Sequence, residues 1–171
     1  ILFQGRLDAR AAREPFERSA TLGAGESTVM ARFAQYCARI GRDPEAVSAM
    51  QRALALDPLN PLIHRAVGSI EYAARRYEAS IPALRRALDM NPRMSRAHAS
   101  LGDALLNLGR IGEARAEYLL EPSADSRLAG LAIAEQRAGD PAKARSTLDE
   151  MVATQGDRVL YQQAQVLAQF G

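Results

Sequence analysis

The chain has 171 residues, 47% apolar and 25% charged, an ordinary folded composition sufficient for one domain or a short stack of units. Its 22 basic and 20 acidic residues nearly balance, which argues against a nucleic-acid-binding stripe. The single cysteine, Cys37, excludes an internal disulfide framework and any paired-cysteine metal site. No apolar run approaches a membrane span and no signal-peptide pattern opens the chain, so the expectation is a cytoplasmic protein that contacts neither membrane nor nucleic acid directly.

In chain order, Ile1-Leu2-Phe3-Gln4-Gly5 resembles the remnant of a viral 3C-type protease tag site, and residues 1–5 are set aside. Alanine, the best helix former, occupies 33 of the remaining positions, and nothing shows the strict alternation of a strand. The apolar spacing predicts an all-α chain of ten helices over 8–21, 27–40, 44–56, 61–74, 77–90, 95–108, 111–120, 125–138, 141–154 and 157–170. Pro15 falls inside the first helix and is expected to kink it, since an interior proline costs about 3 kcal/mol. Pro82 is expected to act more mildly near the start of its own helix. Asp43-Pro44 and Asp140-Pro141 each read as a capping side chain followed by proline at the first helical position.

These helices repeat. Units beginning at Ser27, Pro61 and Ser95 follow one another at 34-residue intervals. Small residues Ala34, Gly68 and Gly102 share the eighth place, and Ala46, Ser80 and Ala114 the twentieth. Met50, Leu84 and Tyr118 share the twenty-fourth, Ala53 and Ala87 the twenty-seventh, and Pro58 and Pro92 the thirty-second. A helix pair with two apolar faces cannot bury both alone, so such units stack. The small residues mark where the two helices of a pair approach closely, and the bulky twenty-fourth residue fills the space beside them.

The pattern resembles the tetratricopeptide repeat, a 34-residue helix-turn-helix, most closely over Ala99 to Tyr118 (ASLGDALLNLGRIGEARAEY). The resemblance implies a right-handed superhelical solenoid: repeats 27–60, 61–94, a shortened 95–124 and 125–156, flanked by an orphan second helix at 8–21 and an orphan first helix at 157–170. The stretch LLEPSAD truncates the third unit, so the fourth begins only 30 residues after Ser95. Glu121 stands there in place of a small residue, and the packing after Tyr118 is expected to depart from the pattern.

No residue set suggests catalysis or a cofactor. His64 and His98 share the fourth place of consecutive units, but neighbouring helix axes lie about 8–10 Å apart while imidazole–metal bonds are about 2 Å. They read as partly buried, hydrogen-bonded histidines. Cys37 lies on a packing place and reads as a buried small hydrophobe. The stretch LGAGES (Leu22 to Ser27) lacks the lysine of a phosphate-cradling loop and reads as a turn. The pairs Glu14 with Glu17 and Glu113 with Glu117 read as solvated charge.

In the repeat family the first helix of each unit lines a concave surface. Carried over place by place, the groove candidates are Arg32, Gln35 and Arg39; Arg65, Ser69 and Tyr72; Arg96, Ser100, Asp103 and Asn107; Gln136 and Arg137; and Arg158, Tyr161 and Gln165, with Gln162 and Gln169 beside them. Six arginines there face the single acid Asp103, and guanidinium and amide groups suit the carboxylates and backbone of an extended peptide. The expectation is a non-catalytic scaffold binding an acidic or C-terminal peptide, or a partner domain, in a basic concave groove. The Lys/Asn pattern of the chaperone-type carboxylate clamp is absent. RLAGLAIAEQRAGD and YQQAQVLAQFG also resemble repeats near the C-terminal end of bacterial multidomain signalling proteins. The alternative expectation is therefore a regulatory segment of a transcription factor or nucleotide cyclase. The orphan helices should expose apolar strips, Ala12, Phe16 and Leu22 at the front and Leu160, Ala164, Leu167 and Phe170 at the back, and so allow head-to-tail self-association.

Overall fold

A computed structural model describes residues 11–170, apart from the side chains of Asp157 and Arg158. Among the described residues there are ten α-helices and no strand. The helices are α1 (Arg13–Leu22), α2 (Ser27–Arg39), α3 (Asp43–Leu56), α4 (Pro61–Ala73), α5 (Tyr77–Met90), α6 (Ala97–Asn107), α7 (Ile111–Leu120), α8 (Ala124–Arg137), α9 (Pro141–Gln155) and α10 (Leu160–Phe170), with a 3₁₀ turn at Gly156–Val159 before the last. The tightest partners are α2 with α3, α4 with α5, α6 with α7 and α8 with α9. Helices α2, α4, α6, α8 and α10 also touch in succession, so the first helices of the pairs form one continuous face of a solenoid.

Repeat places explain the local structure. The turns inside the pairs bring Gly41, Arg75 and Gly109 to φ of 75°, 58° and 74°, the left-handed conformation that glycine adopts without penalty. After each of them comes an arginine whose backbone N–H reaches back five residues: Arg42 to Cys37, Arg76 to Glu71 and Arg110 to Leu105, at 2.8–3.0 Å. The three side chains then clamp nearby glutamates, Arg42 on Glu45, Arg76 on Glu71 and Arg110 on Glu113. Asp140 caps α9 through the Lys143 N–H at 3.0 Å. Asp43 does not cap: it lies inside the first turn of α3, and Arg42 holds the cap position.

The twentieth and twenty-fourth places do the packing. Ser80 is fully buried and donates to the Gly68 carbonyl at 2.9 Å. A methyl on Gly68 would come within 2.5 Å of Leu84 Cγ, so only a bare backbone fits there. Tyr118 has Gly102 against its ring and Gly130 of the following unit against it as well. Its ring thereby joins three helices.

Three further expectations change. Pro15 is the third residue of α1, where an N–H has no partner in the preceding turn, so no interior bond is lost and no kink is required; residues 8–10 of the expected helix lie outside the described residues. Helix α6 starts at Ala97 instead of Ser95, because Arg96 takes a left-handed conformation (φ 66°) and turns its N–H to Glu121. The expected front strip does not form: Ala12 is 1% exposed among Tyr36, Cys37 and Ala46, and Phe16 stacks on Tyr36 at 4.5 Å, leaving only Leu22 in solvent. At the other end Leu160 and Leu167 are exposed, while Phe170 packs on the cluster of Leu128, Met151 and Val166.

Candidate functional site

The helix α6 places its residues 100, 103 and 107 on one stripe, because steps of three or four residues return to the same face, and Arg96 stands at the head of that helix beside them. With the matching stripes of α2, α4, α8 and α10 they line a cleft of two lobes. The smaller, about 250 Å³, lies between Gln35 and Arg39 of α2, Ser69 and Tyr72 of α4, and α6. The larger, about 610 Å³, takes in Arg96, Asn107, Arg137, Tyr161 and Gln165, with Gln162 and Gln169. Tyr72, Ser100 and Asp103 border both lobes, so the expected residues of five helices meet in one place.

Three expected residues do not line it. Arg32 is exposed away from it. Arg65 is half-buried, with Nε shielded and lacking a hydrogen-bond partner; burial, then the Arg96 charge, holds its guanidinium below the ordinary value. Gln136 turns its Oε1 into the interior, also without a partner. The Arg158 side chain is not among those described. Of the six arginines expected in the groove, three lie along the cleft among the described residues, Arg39, Arg96 and Arg137.

Sequence reasoning counted polar side chains and passed over the small and apolar wall. Ala129, Gly130 and Ile133 of α8, with Leu106 of α6, give the larger lobe an apolar floor. Ala129, Gly130 and Ile133 occupy the fifth, sixth and ninth places of the fourth unit and Leu106 the twelfth of the third, which was the available signal. The polar groups above are held by one another. Arg137 donates to the Leu106 carbonyl at 3.2 Å and to Gln169 at 3.1 Å. Asn107 donates to the Tyr72 hydroxyl at 3.1 Å, and Tyr118 donates to Asp103 Oδ1 at 2.7 Å. Burial, then the neighbouring Asp103 charge, raises the Tyr72 hydroxyl above its ordinary value. Burial also pushes the Asp103 carboxyl up to about 6, against the opposing Tyr118 hydrogen bond.

The shortened unit is closed by Glu121, which is 1% exposed. Its carboxylate accepts the N–H groups of Arg96 at 2.8 Å, Ala99 at 3.0 Å and Ser123 at 3.0 Å. One buried acid therefore caps α6 and fixes the entry to α8, at helix N-termini that favour negative charge. Sequence reasoning saw only a missing small residue there.

The histidines close the joins between units. His64 Nε2 meets the Pro58 carbonyl at 2.8 Å, and His98 Nε2 meets the Pro92 carbonyl at 3.1 Å. His98 Nδ1 also meets Glu117 at 2.7 Å. Glu17 and Glu113 are engaged by arginines that hold their carboxyls below the usual range. Cys37 is fully buried, and desolvation pushes its thiol up. Among the described residues no group of three His, Cys, Asp or Glu is placed to hold a metal, and no helix is long and apolar enough to cross a membrane.

Known proteins share this architecture. Residues 65–127 match the family model of the tetratricopeptide repeat. The Hsp70-Hsp90 organizing protein of Triticum aestivum is 30% identical over 105 residues, covering 59% of this chain but only 18% of that protein's length. Among solved structures, pilF of Pseudomonas aeruginosa superposes with a TM-score of 0.71 at 20% identity, over 98% of this chain and 80% of its own. MamA from Desulfovibrio magneticus RS-1 gives 0.69 at 17% identity, over 91% and 92%. YrrB, described as a TPR protein with an unusual peptide-binding site, gives 0.66 at 17% identity, over 98% and 87%. With the 34-residue spacing of its small and bulky places and the stacked helix pairs that those places build, the chain folds as a helical solenoid like those of tetratricopeptide-repeat proteins, and its residues 65–127 match that repeat.

Proposed function

We propose that this chain is a non-catalytic protein–protein interaction scaffold that holds a peptide or partner domain in its concave cleft. The observation that carries the reading is the cleft itself: an apolar floor of Leu106, Ala129 and Ile133 beneath Arg96, Arg137, Asn107 and Gln165. An extended segment can bury its side chains on that floor while guanidinium and amide groups take its carboxylates and backbone. The likeness to YrrB and to the Hsp70-Hsp90 organizing protein supports the class of partner. Three arginines against one acid among the described residues lining the cleft favour an acidic segment or a free C-terminus. The units that build it are read as 27–60, 61–94, 95–124 and 125–156, with the lone first helix at 157–170 behind them.

A peptide library offered to the purified chain tests the reading. Acidic and C-terminal sequences should be enriched, and their affinity should fall as salt rises. Arg96→Ala with Arg137→Ala should weaken binding about tenfold to a hundredfold. A library showing no acidic enrichment overturns the reading.

A further inference from the structure

Asp103 is the one acid among the described residues lining the cleft, and it stands where the two lobes meet. Its position is fixed from behind. The Tyr118 ring lies against both Gly102 and Gly130, and its hydroxyl donates to Oδ1 at 2.7 Å. No cation pairs with this carboxylate among the described residues. The guanidinium of Arg96 lies 4.0 Å from Asp125, and Arg137 is turned to the Leu106 carbonyl and Gln169. Even Asn107 passes it by, donating to the Tyr72 hydroxyl and to the Asp103 backbone carbonyl. A half-buried carboxylate with one hydrogen bond and no counter-charge carries a desolvation cost that an incoming cation would relieve. Its burial is deep enough to push its carboxyl up to about 6.

Resting on the reading of the cleft given above, we propose that Asp103 is a specificity residue that receives a lysine or arginine side chain of the bound peptide, whose acidic residues meet Arg96 and Arg137. Arg96 caps α6 and Asp103 lies two turns into it, on the same side of the cleft, a rise of roughly 10 Å from the cap along the helix axis. An extended peptide covers that distance in about three residues. The ligand therefore carries opposite charges about three residues apart. A uniformly acidic peptide would set a carboxylate against Asp103, so the same group that admits a mixed sequence rejects a polyacidic one.

Fluorescent peptides of about nine residues test this, one set rich in glutamate and a second set identical except for one lysine three residues from a glutamate. The parent chain should bind the lysine-bearing set about fivefold more tightly. Asp103→Asn, which keeps an acceptor for the Tyr118 hydroxyl, should abolish that preference and leave binding of the all-glutamate set equal or stronger. Asp103→Glu should keep the preference. A thermal melt checks that each variant folds. If the two sets bind equally and Asp103→Asn changes neither, the role of Asp103 is wrong while the cleft reading stands. If neither set binds the parent, the cleft reading fails and this inference with it.

Discussion

Gly102→Ala adds one methyl at the most crowded point of the third unit. Its Cβ would lie 2.6 Å from Tyr118 Cε1 and 2.9 Å from Cδ1 and Cζ, about 1 Å inside ordinary carbon–carbon contact. The ring has nowhere to go. Gly130 also lies against it, where a second methyl would sit closer still, and the hydroxyl is tied to Asp103 at 2.7 Å. Overpacking of this kind costs about 1–3 kcal/mol, and a ring hemmed in by two glycines belongs in the upper part of that range. Alanine returns about 1 kcal/mol through its better helix propensity. The net loss should therefore be about 1–2 kcal/mol, read as a lower midpoint of urea unfolding at unchanged slope. Gly112→Ala is the internal control: it lies in α7 with nothing within 4 Å of the added methyl, and should gain about 0.5 kcal/mol. A Gly102→Ala chain at least as stable as the parent would refute the reasoning. In a cycle with Tyr118→Leu the loss should shrink, because the smaller side chain relieves the contact.

Arg75→Gly should raise the melting temperature through about 0.5–1 kcal/mol of added stability, since Arg75 alone holds a left-handed φ at the place where Gly41 and Gly109 stand in neighbouring units. Glu121→Ala should cost about 2–3 kcal/mol by stranding the amides it accepts, and hydrogen exchange should quicken at Arg96, Ala99 and Ser123; unchanged exchange there would remove its capping role. For Asp103, whose carboxyl is raised from 3.8 to about 6 on folding, the native state binds the extra proton between those values. Its contribution makes stability fall as pH rises from about 4 to about 6, and melts of Asp103→Asn across that range should lack that component.

The helices and their pairing were legible because the repeat places impose themselves at every level. Gly68 and Gly102 sit where Leu84 and Tyr118 demand a bare backbone, and a 34-residue spacing brings like residues to like positions. Stripes on α2, α4, α6, α8 and α10 followed from the resemblance to the repeat family, whose concave places were carried over one by one. What the spacing could not carry was direction. Arg32, Arg65 and Gln136 hold the right places, yet their long side chains leave the cleft, since a guanidinium stem covers whatever apolar surface is nearest. Glu121 was read as a defect because a pattern names the residue that is missing and is silent on three N–H donors converging from elsewhere. Ala12 was misjudged for a similar reason: its cover comes from Tyr36, Cys37 and Ala46, which only folding brings alongside.

Solenoids evolve by duplicating, deleting and exchanging units, and a unit is interchangeable only when its joins are generic. The Glu121 carboxylate makes this join particular. It is buried by, and answers to, amides on both of its sides, Arg96 and Ala99 before it and Ser123 after it. A regular unit inserted behind Tyr118 would meet a charged side chain with part of its shell removed, and a regular unit in front would leave the same acid facing a different helix start. The stretch from Arg96 to Arg127, whose guanidinium holds the Glu121 carbonyl at 2.8 Å, is thus tied together as one block that a regular unit could not replace without stranding the acid.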